Sequence, residues 1–227
     1  MKLSELSNSS LRIITAVGIA VVIGLAALLD RYGIPLLGIQ PFHAIRWLGI
    51  IVSAGCIIEM INCVKATSNR TIKKNPMAVV LFMLLLILML VSVCTVGKRP
   101  WVMLCLLMII VGADIGGWLF GVIFGGDKLW ERISPKKTWA GQIGGIICGT
   151  LMSVLYCEMF GTNLPGAIWF GIGVSLLSQY GDLTASAVKR RMEIKDFGKL
   201  LPGHGGILDR VDGWLYVLPL IWFLMRL

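Results

Sequence analysis

Residues 77–96 read MAVVLFMLLLILMLVSVCTV, a run without one charged side chain. A bilayer core of about 30 Å needs roughly 20 helical residues to cross it. Lipid offers the backbone no hydrogen-bond partner, so such a run must be a helix that satisfies its own amides. Similar runs recur and predict spans near Leu11–Leu29, Ala44–Val64, Met77–Val96, Trp101–Phe124, Trp139–Phe160, Pro165–Tyr180 and Trp214–Met225. The last two are short, as tilted or partly unwound spans can be, so seven is the expected count and nine the upper bound. Apolar residues are 57% of the chain, charged residues 15%, and the mean hydropathy is +0.85. These values exclude a soluble domain, and the scarcity of alternating apolar and polar segments argues against a barrel. The predicted fold is an all-α polytopic integral membrane protein. It forms a single domain over residues 1–227, with N-terminal helices in 1–100 and the chemistry in 101–227.

The opening MKLSELSNSSLR precedes a long apolar run without a small-x-small cleavage pattern, which predicts an uncleaved first span. With that end inside, the inner segments hold Lys2, Arg12, Lys65, Arg70, Lys73, Lys74, Lys128, Arg132, Lys136, Lys137, Lys189, Arg190, Arg191, Lys195, Lys199 and Arg210. The outer segments keep Arg31, Arg46, Lys98, Arg99 and Arg226. This asymmetry follows the positive-inside rule and predicts a plasma (inner) membrane protein whose polar site faces the cytoplasm. Retention of the inner loops accounts for much of the net charge of +9, including the Lys65–Lys74 cluster. No nucleic-acid partner is expected. Six cysteines lie in or beside apolar runs with no C-x-x-C spacing, which predicts small buried side chains and no metal or disulfide.

Charges inside such a chain are costly and informative. Asp114 lies near the middle of the fourth run, where a carboxylate must face a bundle interior, a cavity or a partner. Gly112, Gly116, Gly117 and Gly121 around it permit close helix approach. Ser134 and Pro135 ahead of Lys136, Lys137 and Thr138 predict a turn into the next helix, with proline at an early helical position. Two lysines beside free helical N–H groups would attract phosphate, and a snorkelling loop would look the same. The sixth run turns polar without an evident break. If its helix continues, Asp182, Ser186, Lys189 or Arg190, and Glu193 share one face.

The most polar stretch, KDFGKLLPGHGGILDRVDG at Lys195–Gly213, follows. Its glycines allow a backbone to approach a ligand closely, and Asp209 and Asp212 stand three apart, as residues on one helix face do. Converging carboxylates repel unless a cation keeps them ionised. Oxygen donors beside bases suit Mg²⁺ shared with phosphate groups, because Mg²⁺ needs only one or two protein carboxylates. These residues point to a cytoplasm-facing, Mg²⁺-dependent site for a phosphorylated substrate, with lipid as second partner.

The stretch SAVKRRMEIKDFGKLLPGHGGILDRVD, Ser186–Asp212, resembles the signature of the phosphatidate cytidylyltransferases, or CDP-diacylglycerol synthases. SQYGDL at Ser178–Leu183, ADIGGWLFG at Ala113–Gly121 and ISPKKTWAG at Ile133–Gly141 agree with the same family. Three departures stand out. Ala140 replaces a common Glu, Gly213 replaces a common Ser, and the chain is short for the family, which implies a reduced set of N-terminal helices.

The resemblance implies transfer of a cytidylyl group from CTP to phosphatidic acid, giving CDP-diacylglycerol and pyrophosphate in phospholipid biosynthesis. It implies Asp182 and Asp209 as metal ligands, with Asp212 as a third or supporting carboxylate and a monovalent cation such as K⁺ beside Mg²⁺. Lys189, Arg190, Lys195 and Arg210 would neutralise phosphates, Ser186 would donate a hydrogen bond, and the loop of Gly203, Gly205 and Gly206 would present N–H groups to the triphosphate. Asp114, Lys136 and Lys137 would join the substrate cavity. His204 is either a donor to phosphate or a structural loop residue, and Asp196 either a catalytic contact or an ion-pair partner in the loop. A homodimer is the family expectation. A CTP-dependent lipid kinase and an ion-coupled transporter are the competing functions, whereas the CDP-alcohol phosphotransferase pattern is interrupted by the apolar run after Asp212.

Overall fold

The structure, a computed structural model, describes residues 8–32, 43–67, 76–160, 163–198, 200 and 205–227. Its helices are α1 (Asn8–Tyr32), α2 (Ala44–Ala66), α3 (Pro76–Val96), α4 (Pro100–Ile123), α5 (Trp139–Phe160), α6 (Leu164–Arg191), α7 (Leu208–Val211) and α8 (Trp214–Leu224). Strands β1 (Lys128–Trp130) and β2 (Ser134–Thr138) lie between α4 and α5. Helices occupy all seven stretches read as spans. Among the described residues, α2, α3, α4 and α5 are long and apolar enough to cross a bilayer, and α1 and α8 contribute the shorter apolar stretches Val17–Asp30 and Trp214–Leu224. The chain is an all-α, multi-pass membrane protein with one short hairpin.

The chain divides into two compact units. The first comprises Met1–Pro100 with Met192–Val211, and the second Trp101–Arg191 with Asp212–Leu227. In the first unit α3 is apolar around its whole circumference, as a helix surrounded by lipid and other helices is. Its buried residues Val79, Phe82, Leu86, Met89, Val93 and Val96 recur every three or four positions. Ser53, Cys56, Met60 and Cys63 do the same on α2, so the two helices pack along side-chain rows. Asp30, near the end of α1, accepts the N–H groups of Ala44 and Ile45. That carboxylate caps the start of α2 and complements its dipole.

In the second unit α4 and α5 meet through small residues. A Cβ on Gly116 would lie 2.6 Å from the Gly144 carbonyl oxygen and 2.5 Å from Cys148 Cβ, so only glycine permits this approach. Packing of α6 against α5 and α8 completes the unit. Cys56, Cys63, Cys105 and Cys157 are buried, and all six cysteines are free thiols.

Three local expectations are corrected. Ser134–Thr138 is a strand paired antiparallel with β1, Lys128 opposite Thr138 and Trp130 opposite Ser134, rather than a turn running into a helix at Pro135. The start of α5 is set by Thr138, whose Oγ1 accepts the Gly141 N–H at 3.1 Å, as an N-cap hydroxyl does. The polar stripe on α6 stops at Arg191, and Glu193 takes a left-handed backbone (φ 59) beyond the helix. Asp209 and Asp212 do not share a helix, because α7 ends at Val211.

Candidate functional site

In the second unit, charges from three elements meet in a cleft of about 370 Å³. Asp114 of α4, Lys136 and Lys137 of β2, and Gln179 and Asp182 of α6 line it, with Trp118, Val122 and several small residues as its apolar wall. The hairpin is what brings the lysines here. Trp139 N–H bonds to the Asp127 carbonyl at 3.1 Å, and Arg190 Nε donates to the Ile133 carbonyl at 3.2 Å, which ties the hairpin to the ends of α5 and α6.

Lys137 Nζ lies 2.7 Å from Asp182 Oδ2, with the two side chains 26% and 35% exposed. At that exposure an ion pair contributes about 1 kcal/mol or less, so its effect is to orient two charges rather than to hold the fold. Ser186 Oγ approaches the other oxygen, Asp182 Oδ1, at 3.4 Å. Gln179 is buried and its Nε2 donates to the Gln142 carbonyl at 3.3 Å.

Asp212 enters the same electrostatic field. Burial pushes its carboxyl well above the usual carboxylate range. The Asp182 carboxylate pushes the same way, the Lys189 ammonium opposes, Asp114 raises it further, and the Gly213 N–H lowers it. The Gly213 amide donates to Asp212 Oδ1 at 2.9 Å. A Cβ on Gly213 would lie 2.6 Å from Ser178 Oγ, so the close approach of this turn to α6 favours glycine. Asp114, Asp182, Asp212, Lys136, Lys137 and Lys189 are thus brought together within this unit, and Arg190 turns its Nε to the hairpin backbone.

The first unit holds the glycine-rich stretch. Asp209 is buried, and its Oδ2 accepts the N–H groups of Phe197 and Gly206, each at 3.0 Å. Glu59 of α2 accepts the N–H of Ile207 at 3.0 Å and that of Leu208 at 2.9 Å. Gly205 has φ 87, a conformation open to glycine. Phe197 stacks on Phe82 of α3 with ring centroids 5.5 Å apart. Asp196, Lys195 and Arg210 are exposed. Gly203 and His204 lie outside the described residues. The Gly206 amide, expected to face a triphosphate, donates to Asp209 instead, and the next two amides, of Ile207 and Leu208, donate to Glu59.

Sequence reasoning missed Glu59 and gave Gln179 and Thr138 no role. The signal for Glu59 was a carboxylate within an apolar run, the argument already applied to Asp114. Among the described residues no three His, Cys, Asp or Glu side chains stand together closely enough to cage a metal ion.

A helical membrane unit with lysines and carboxylates gathered at one cleft is the architecture of an enzyme or carrier for an anionic substrate. The comparisons are more specific. A family model described as the cytidylyltransferase family matches residues 4–227, and the chain belongs to that family. The chain is 42% identical over 127 residues to the phosphatidate cytidylyltransferase of Mycobacterium leprae (strain TN), a match covering 54% of this chain and 40% of that protein. To the phosphatidate cytidylyltransferase of Staphylococcus aureus (strain COL) it is 46% identical over 114 residues, covering 48% and 42%. To that of Mycobacterium bovis (strain ATCC BAA-935 / AF2122/97) it is 39% identical over 129 residues, covering 56% and 42%. The chain therefore spans about two fifths of the length of these curated relatives.

Proposed function

We propose that this protein transfers the cytidylyl group of CTP to phosphatidic acid, forming CDP-diacylglycerol and pyrophosphate. The observation that carries the reading is the cleft in which Lys136, Lys137, Asp114 and Asp182 meet under an apolar wall. It offers charge to phosphates and hydrocarbon to a lipid. The names of the relatives supply the substrate pair.

In this reaction an anionic phosphate oxygen attacks the α-phosphorus of CTP. One P–O bond forms as the bond to the β-phosphate breaks, and pyrophosphate leaves. The nucleophile is already ionised, so the protein's task is to position two anions and neutralise them. Lys136 and Lys137 suit that task at the cleft, as does Lys189 near Asp212. Ser186 supplies a hydrogen bond, and Lys195 and Arg210 add positive charge from the glycine-rich stretch. Arg190, Asp196 as a catalytic contact and His204 as a donor to phosphate complete the proposed set.

The donors fit Mg²⁺ in one respect: they are carboxylate oxygens, and burial followed by the nearby Asp182 carboxylate pushes the Asp212 carboxyl up. Mg²⁺ keeps waters and shares phosphate oxygens, so it needs only one or two protein carboxylates. In the second unit Asp182 is the residue proposed to hold it, with Asp212 in support; Asp209 keeps the ligand role that the family signature implies for it, and a monovalent cation such as K⁺ is proposed as second ion. Such a cation supplies neutralisation of the phosphate oxygens when bound. In this reading all seven apolar helices cross the inner membrane, the basic loops and the site face the cytoplasm, and the protein works as a homodimer. The charge asymmetry supports the orientation.

The test is incubation of purified protein with phosphatidic acid, α-labelled CTP and Mg²⁺ in mixed micelles. Label in the lipid phase with stoichiometric pyrophosphate is expected. Release of CDP would show a lipid kinase instead, and neither product with Mg²⁺ or added K⁺ would move an ion-coupled transporter to the front.

A further inference from the structure

Glu59 is a carboxylate within the apolar helix α2, and no catalytic expectation uses it. Both of its oxygens are engaged by residues almost the whole chain away. Oε1 takes the Ile207 N–H at 3.0 Å and Oε2 the Leu208 N–H at 2.9 Å. These are the amides that open α7, where backbone donors have no helical partner. A carboxylate there accepts two charge-assisted bonds.

The surrounding residues are shaped to admit it. A Cβ on Gly206 would lie 2.5 Å from Glu59 Oε2, and one on Gly198 would collide with Oε1. Gly55, one turn earlier on α2, leaves room for the Ile207 side chain, whose Cδ1 would stand 3.2 Å from an added Cβ. Gly206 thus sits between two carboxylates, donating its N–H to Asp209 and yielding its side-chain space to Glu59. Two glycines of the signature stretch answer to a membrane helix rather than to a nucleotide.

We propose that Glu59 is a positioning residue for Asp209 and Arg210: by gripping the amides of Ile207 and Leu208 it fixes the start of the turn that carries both. The proposal rests on the cytidylyl-transfer reading for its effect on turnover. Its effect on the loop stands without that reading. Glu59 touches no reacting atom, and its loss acts through the placement of its neighbours.

The experiment compares wild type, Glu59→Ala, Glu59→Gln, Gly206→Ala and the Glu59→Ala/Gly206→Ala double variant, each as the full chain in detergent micelles. Amide hydrogen exchange over residues 205–211 is read beside kcat and the KM values for MgCTP and phosphatidic acid. Glu59→Ala is expected to speed exchange in that segment, leave α3 and α5 protected, and lower kcat about 10- to 100-fold, as loss of a supporting contact does. The KM for phosphatidic acid should stay unchanged. Glu59→Gln, which keeps one acceptor oxygen, should fall between, and it carries the test if the alanine variant does not fold. Gly206→Ala should reduce kcat in the wild-type background and add little to Glu59→Ala, because both act on one contact. Unchanged exchange in 205–211, additive losses, or faster exchange with wild-type kcat would each overturn the proposal. If wild type itself transfers no label, the proposed function falls, and the exchange cycle still decides what Glu59 does to the loop.

Discussion

Replacing Asp209 with Asn separates what this carboxylate does for the loop from what it does for chemistry. Both amides that it accepts converge on a single oxygen, Oδ2, at 3.0 Å each. A carbonyl oxygen has two lone pairs, so the Asn oxygen can take both bonds if it occupies the same place. The charge is lost, and Oδ1 is replaced by an NH2 donor. A hydrogen bond to an ionised group contributes roughly 1.5–3 kcal/mol against 0.5–1.5 for a neutral one, so the two bonds together weaken by about 2–3 kcal/mol. That lowers the melting temperature and leaves a folded protein. Asp209→Ala instead strands two buried donors at about 1–3 kcal/mol each, and should melt lower still. If Asp209 also holds a cation, Asp209→Asn should lose about 100-fold or more in turnover despite folding. Melting by intrinsic fluorescence and label transfer from α-labelled CTP give the two readouts. A folded Asp209→Asn protein that turns over near the wild-type rate would refute the metal role. Equal melting of the Asn and Ala variants would refute the account of the loop hydrogen bonds.

Two further outcomes follow from the second unit. Lys137→Ala removes the 2.7 Å contact with Asp182, so stability should change by about 1 kcal/mol or less while the KM for CTP rises; an unchanged KM would remove Lys137 from the substrate site. Gly116→Leu places a side chain where a Cβ alone meets the Gly144 carbonyl at 2.6 Å, and overpacking of this kind costs about 1–3 kcal/mol or more. Wild-type thermal stability in micelles would show that α4 and α5 do not pack as described.

Much of the helical architecture was legible because lipid removes the alternatives. A run such as Met77–Val96 has no backbone partner but itself, and the helix α3 occupies Pro76–Val96. The membership of the cleft was less legible. Lys136 and Lys137 looked like a helix entry, and their place is a strand, because Thr138 rather than Pro135 supplies the cap for α5. The spacing of Asp209 and Asp212 suggested one helix face, but a four-residue helix ends between them.

By itself the sequence determined that the chain is a helical membrane protein, that its carboxylates and bases cluster in the C-terminal half, and that the cluster resembles a cytidylyltransferase signature. Those properties depend on composition and on residues close together in the chain. Only the tertiary structure decided which charges meet. Lys137 reaches Asp182 through a hairpin, and Glu59 grips amides at Ile207 and Leu208. Contacts between residues so distant in sequence leave no periodicity to read. Hydrophobicity places each helix in the membrane, but the sites where buried polar groups find partners are set by how the helices pack.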